Sequence, residues 1–366
     1  MKNTIKAMLV ALTAFSFSVA NAGDLSITGD AKASYTITSG DGASAGINQG
    51  KGLGVSNEFT LSASGELDNG MTWSYAQDID GATAQDDGKL TLTTGFGTLG
   101  VFISEGGLDT DYTASQSVVS RPSDTSFNEG MFDTFDLSAM NTLQYHMPAD
   151  MLPFGIVGKV AYAPSSSSAA SLNSHKATGA ANLGAFTDTS AAFSSTTAPF
   201  AQTAAMGKSA THYQVKAAPI DGLAIGADYV DYSNVIGATD QQPESGSYYA
   251  TYAFGPATIG YSRSFAAFAL GNGAVGEDLM ESVEATKMSI AFNVNDDLSI
   301  SYEKETSNPD NQTAATANYE MEATGIQAAY TMGGMTLALA QNSFDNAQYT
   351  DGKDVKDTVF SVAMAF

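Results

Sequence analysis

The chain has no cysteine, one tryptophan, three histidines and only 15 basic residues against 39 acidic ones. Without cysteine no disulfide can brace it, so stability has to come from backbone pairing and packing. With no thiol and only His146, His175 and His212, zinc or nucleophilic chemistry has little to work with. His146 and His212 fall on polar faces of predicted strands and read as wall residues. The shortage of bases leaves a net charge of -24, which repels nucleic acid and excludes it as a partner. Beyond the first 22 residues no uninterrupted apolar run approaches the length of a membrane-crossing helix, so a place in a membrane would require a closed barrel of strands.

What is present begins with an export signal. Lys2 and Lys6 precede an apolar run from Ala7 to Val19, and Ala20-Asn21-Ala22 supplies small residues around a cleavage point. The run is too short for a membrane anchor, which needs about 20 residues. Residues 1–22 are therefore expected to be a cleaved signal peptide, with the mature chain starting at Gly23. The segment carries two of the 15 bases and no acid, leaving 13 bases against 39 acids and a net charge of -26.

The rest alternates. Leu25, Ile27, Ala31, Ala33, Tyr35 and Ile37 share one strand face, while Ser26, Thr28, Asp30, Lys32, Ser34 and Thr36 share the other. The last residues repeat the pattern, with Thr358, Phe360, Val362, Met364 and Phe366 on one face and small residues between them. One apolar face and one polar face suit a strand between lipid and water. Further strands are predicted at 54–67, 70–78, 87–94, 98–104, 141–147, 155–163, 211–218, 223–231, 246–253, 257–264, 282–292, 297–305, 320–330, 334–342 and 356–366, which with the first make sixteen. The fold class is thus all-β, a transmembrane antiparallel barrel forming one domain over 23–366.

The connections alternate too. Tight turns follow the even strands at Asp68-Asn69-Gly70, Gly95-Phe96-Gly97, Pro148 to Pro153, Pro219 to Gly222, Gly255-Pro256, Asn293 to Asp297 and Met332-Gly333-Gly334, several with the residues hairpins require. Longer polar connections follow the odd strands, the longest being the Ser, Ala and Thr-rich stretch from Ser165 to Ala210. Tight turns at one rim and long loops at the other mark membrane barrels, with the turns facing the periplasm. Trp73, Tyr75, Phe254 and Phe292 near turns, and Tyr162, Tyr229 and Tyr302 toward loop ends, match interfacial belts.

Gly95 to Gly100 fits the dinucleotide pattern G-x-G-x-x-G, but Val101, Phe102 and Ile103 continue as a strand where that motif needs a helix. Asp78, Asp80, Asp86 and Asp87, and Asp345, Asp351 and Asp354, form acidic groups without the spacing of a calcium loop. They read as solvated acidic loops, and a metal role stays open. No cofactor is indicated.

Several segments resemble the Gram-negative general porins. Glu66 to Trp73 (ELDNGMTW) looks like that family's second hairpin, Leu92 to Gly100 (LTTGFGTLG) like its glycine-rich strand pair, and Asn141 to Pro148 (NTLQYHMP) like the strand after its constricting loop. Phe366 matches its terminal aromatic, the assembly signal for the barrel-assembly machinery. The resemblance implies a sixteen-stranded homotrimer in outer-membrane lipid whose third long loop, about Glu105 to Met140 here, folds into the channel. The loop's acids are Glu105, Asp109, Asp111, Asp124, Glu129, Asp133 and Asp136, against the single base Arg121.

In that family the acidic loop faces a ladder of bases on the wall. The bases predicted to point inward here are Lys32, Lys89, Lys159, Lys216 and Lys287, with Lys32 and Lys89 expected opposite the loop. Met140 stands where the family usually carries Arg, and Glu58 points inward where a base is usual, so the ladder is thin. The expected function is passive, cation-preferring diffusion of small hydrophilic solutes through an outer-membrane porin. The alternatives are a substrate-specific outer-membrane channel and a secreted β-rich adhesin or surface protein.

Overall fold

The computed structural model describes residues 25–42, 50–80, 83–103, 108, 111–124, 131–135, 137, 140–164, 209–233, 241–268, 280–311 and 318–365. The expected signal segment, Phe366 and all but the last two residues of the Ser165–Ala210 stretch lie outside them. The described residues form β1 (Leu25–Gly42), β2 (Gly50–Glu66), β3 (Thr72–Asp80), β4 (Thr83–Thr94), β5 (Gly97–Ile103), β6 (Thr142–His146), β7 (Val157–Ala163) and β8 (Ser209–Ile220). The second half supplies β9 (Leu223–Ser233), β10 (Glu244–Phe254), β11 (Ala257–Ala267), β12 (Met280–Asn293), β13 (Leu298–Asn311), β14 (Met321–Met332), β15 (Met335–Asp345) and β16 (Lys353–Ala365). Each strand pairs with its neighbours in sequence, and β1 pairs with β16 in antiparallel register, Ala33 opposite Val362, which closes the barrel. Closure leaves no sheet edge with unpaired backbone groups.

All sixteen expected strands are present, and the tight turns fall where glycine and asparagine allow them. Asn69 Oδ1 accepts from the Met71 amide, and the Gly95–Phe96 turn leads into β5 as a strand. Most strands run further toward the long-loop rim than their alternation indicates. Between β3 and β4 the extension leaves only residues 81 and 82 as the connection. Asp80 and Asp86, expected in the connection, belong to the strands, and Asp78 is in register with Asp87 with a bulge beyond them. Aspartate is a poor strand former, so the run of acids hid a ladder that the barrel imposes.

The two faces are inverted relative to a water-soluble protein. Leu53, Val55, Ile290, Ile326, Leu339 and Phe360 are exposed on the outside, a face stable only against lipid or another apolar surface. Tyr229, Tyr302, Phe254 and Phe292 are exposed on that same outer face toward its rims, as the aromatic pattern anticipated. The inward positions of β10–β14 are small or polar, including Ser247, Ser264, Ser289, Ser301, Ser307 and Gln327. No described helix is long and apolar enough to cross a membrane.

Candidate functional site

The connection between β5 and β6 turns into the barrel, runs along the inside of β8–β14 and folds back. On the outward leg Leu108 meets β8, where its amide donates to His212 Nδ1 (3.3 Å) and its carbonyl accepts from Gln214. Further on, Ser289 Oγ donates to the Ala114 carbonyl (2.7 Å), the Val118 amide donates to Ser301 Oγ (3.0 Å), and the Val119 and Ser120 amides share Gln327 Oε1. On the return leg Ser307 donates to the Met131 carbonyl, Ser264 to that of Phe132 and Ser245 to that of Phe135. Leu137 and Met140 then pack on Ala161, Val230 and Tyr232. The wall satisfies the loop backbone with hydroxyls and amides, as buried polar groups require.

Close approach depends on missing side chains. A Cβ on Gly260 would overlap the Ala114 carbonyl oxygen, and one on Gly325 would lie 2.8 Å from Pro122 Cγ. A Gly260→Val substitution is therefore expected to push residues 111–116 off the wall into the lumen. Single-channel conductance should fall while the barrel still folds, and an unchanged conductance would refute this seating.

Charge locks the middle of the loop. Arg121, 4% exposed, forms two bidentate pairs. Nη1 and Nη2 reach the two oxygens of Asp133 at 2.6 and 2.9 Å, while Nη2 and Nε reach those of Asp124 at 2.6 and 3.1 Å. Lys287 of β12 adds its ammonium to Asp133 from below. Glu303 accepts from Ser115 and Ser117, and Glu305 accepts from the Ser123 amide (3.1 Å) and hydroxyl (2.8 Å). Burial opposes ionisation of Asp133, but Lys287 and Arg121 together hold it well below the usual carboxylate range. A depressed carboxylate contributes stability that is full above the unfolded value, about pH 4, and is lost only as pH falls through the folded one. Acidification from pH 7 to 5 is thus expected to leave the loop docked. Conductance steps unchanged over that interval would agree, whereas loop release above pH 5 would not.

These contacts revise the expected layout. Lys287 points inward as expected but is 1% exposed beneath the loop, so it does not line the open lumen. Asp124 and Asp133 pair with Arg121 of their own loop instead of facing the opposite wall. Glu105, Asp109, Glu129 and Asp136 lie outside the described residues, and Asp111 opens a single 3-10 turn, Asp111–Ala114. Glu303 and Glu305 were not singled out from sequence. Their signal was available, since both fall on the inward phase of β13 between Ser301 and Ser307.

The other half of the wall, β1–β4, faces the docked loop across the lumen. Asp30 is directly opposite Glu58, which is also in register with Asp80, and Asp78 is directly opposite Asp87. Lys32 and Lys89 stand two residues from these acids on the same faces. Like charges opposite each other on a ladder cost stability, so this carboxylate surface is maintained against a local penalty. Lys159 and Lys216 lie on β7 and β8, half-buried. Among the described residues no three acids or histidines are placed to hold a metal ion.

His212, Asp228 and Ser247 form a buried chain inside β8–β10. His212 Nε2 lies 2.9 Å from Asp228 Oδ2, and the Ser247 amide and hydroxyl both donate to Asp228 Oδ1. The serine therefore bonds to the acid and not to the imidazole, so no base addresses a nucleophile. The chain holds His212 oriented toward Leu108, where the loop meets β8.

A closed sixteen-stranded antiparallel barrel with an apolar outside, a polar lumen and an inward-folded loop is a barrel of the porin type. No family model matches the sequence, and no curated protein matches it. Solved structures do. OmpF of Salmonella typhi in complex with daunomycin matches with a TM-score of 0.63 at 11% identity, over 94% of this chain and 98% of that one. OmpT of Vibrio cholerae gives 0.59 at 12%, over 96% and 100%. An anion-selective porin from Comamonas acidovorans gives 0.58 at 12%, over 94% and 100%. At such identities the likeness establishes the fold. An anion-selective neighbour means that selectivity has to be argued from the lumen residues.

Proposed function

We propose that this chain is an outer-membrane porin that lets small polar solutes and ions diffuse passively, with a preference for cations. The observation that carries the reading is the facing of Asp30 with Glu58 and Asp78 with Asp87 on the wall opposite the loop. Carboxylates in a confined, low-dielectric lumen raise the local cation concentration and repel anions. The loop acids contribute less than their number suggests, because Asp124 and Asp133 are neutralised by Arg121 and Lys287.

Export, outer-membrane insertion through the barrel-assembly machinery and assembly as a homotrimer complete the proposal. Supporting the trimer is an apolar outer groove over β15, β16, β1 and β2, lined by Ala33, Tyr35, Leu53, Val55, Leu337 and Phe360. The Ser247-Asp228-His212 order supports a channel over an enzyme. Liposome swelling in graded sugars is the test. Rates that fall smoothly with sugar size and do not saturate are expected; saturation would favour the substrate-specific alternative, and no swelling would overturn the channel.

A further inference from the structure

The connection between β15 and β16 also reaches the constriction loop. It lies at the long-loop rim, and its single 3-10 turn, Ala347–Tyr349, carries a tyrosine to the loop's return leg. Tyr349 Oη accepts from the Met131 amide at 2.8 Å and lies 2.7 Å from Ser307 Oγ, which itself donates to the Met131 carbonyl. A serine hydroxyl has one hydrogen to give. With that hydrogen on Met131, the bond between the two hydroxyls runs from Tyr349 to Ser307. The three residues therefore close a cycle in which Met131 donates to Tyr349, Tyr349 to Ser307 and Ser307 back to Met131. Met131 is buried, and the cycle satisfies both of its backbone groups, as burial requires. Burial pushes the Tyr349 phenol up to about 12, so at neutral pH it keeps the hydrogen that the cycle uses.

The aromatic ring adds packing. It lies against two apolar clusters, one gathering Met131 with Phe268 and Met280, the other Phe132 with Met321 and Phe344. Both clusters that seat the return leg thus share one side chain of the rim. This placement is held against backbone preference. Of the four non-glycine residues with a left-handed backbone among the described residues, three fall in this connection, Asn346 (φ 54°), Gln348 (φ 59°) and Tyr349 (φ 53°). Asparagine tolerates that conformation, whereas a long or aromatic side chain rarely adopts it. Asn346 keeps the turn in shape, its Nδ2 donating to the Glu320 carbonyl and its Oδ1 accepting from the Gly352 amide, both at 3.0 Å. Backbone strain persists only where the surroundings over-determine it, and it concentrates at clamps and switches. Here the strained backbone delivers a hydroxyl to the constriction loop.

We infer that Tyr349 is a positioning residue for the constriction, through which the β15–β16 connection clamps the loop's return leg and steadies the width of the pore. The inference rests on the reading of the barrel as an open channel. Arg121 fixes the middle of the loop from within it, and Tyr349 fixes the return leg from the rim. A displacement of the connection at the long-loop rim is therefore transmitted to the constriction through one hydroxyl.

The test compares Tyr349→Phe, which removes only that hydroxyl, with Ser307→Ala and with Tyr302→Phe on the outer face, each as the full-length barrel folded in detergent and then placed in planar bilayers. Loss of the Tyr349 hydroxyl leaves the buried Met131 amide without its acceptor, a change worth about tenfold in the local opening equilibrium. Hydrogen exchange of the peptide containing Met131 is expected to quicken about tenfold in Tyr349→Phe, and flicker of the single-channel current to become about tenfold more frequent. Ser307→Ala is expected to raise both, because it breaks the same cycle, and Tyr302→Phe neither. Unchanged exchange with a quiet current in Tyr349→Phe overturns the clamp. Faster exchange with an unchanged current overturns the positioning role, since the loop would then loosen without moving the constriction. Absence of any conductance from the wild type would instead strike the channel reading, and the exchange measurement then decides the clamp by itself.

Discussion

Arg121→Met is expected to detach the constriction loop and to destabilise the folded barrel by about 3–5 kcal/mol, the usual cost of removing one partner from a buried ionic group. The substitution leaves Asp133, partly buried against the wall, with Lys287, and it strips both oxygens of Asp124 of their Arg121 contacts. Glu303 and Glu305 lie at the same interface, fully buried and hydrogen-bonded by serine hydroxyls and an amide. With Arg121 gone, one ammonium faces this set of carboxyls. Arg121→Lys should recover only part of the loss, because an ammonium cannot make two bidentate pairs at once. The readouts are the midpoint of heat-modifiable mobility and the noise of the open channel. A variant with unchanged midpoint and quiet conductance would mean that the ion pairs do not hold the loop.

The second large effect concerns selectivity. Neutralising Asp30, Glu58, Asp78 and Asp87 together, with Asn or Gln, removes the carboxylate wall and leaves Lys32, Lys89, Lys159 and Lys216 as charges of the open lumen outside the loop interface. The reversal potential in a salt gradient is expected to move from the cation side through zero. The shift should be greatest at low ionic strength, since screening reaches about 10 Å at 0.1 M salt. Stability should not fall with selectivity. Each like-charge pair opposite on a ladder costs roughly 0.2–1 kcal/mol, so its removal is expected to leave the barrel as stable or slightly more so. Loss of folding together with loss of selectivity would contradict the placement of these acids as lumen groups.

The fold was legible in the sequence because a membrane barrel writes its geometry in alternation and in turn chemistry. The Leu25–Ile37 and Thr358–Phe366 patterns, the glycine and asparagine turns and the two rhythms of connection length set strand number and order without any tertiary information. What was hidden has definite causes. Asp80 and Asp86 fell outside the two predicted strands because local propensity opposes the pairing that barrel closure enforces. The inward phase of Lys287 was readable, but not that the loop would cover it, since that depends on a contact between segments more than 150 residues apart. A partial signal for the loop's resting place existed in the inward Gly260, Ser262 and Ser264, with Ser289, Ser301, Ser307 and Gly325 on the following strands. Such a run of small inward residues leaves space on one wall, and a loop backbone fills it.

The reversal potential of the wild-type channel, measured across a roughly tenfold potassium chloride gradient and repeated at lower salt, tests the carboxylate-lined lumen most directly. A potential on the cation side that grows as salt is lowered is the expected result. A potential on the anion side, or one indifferent to ionic strength, would contradict it.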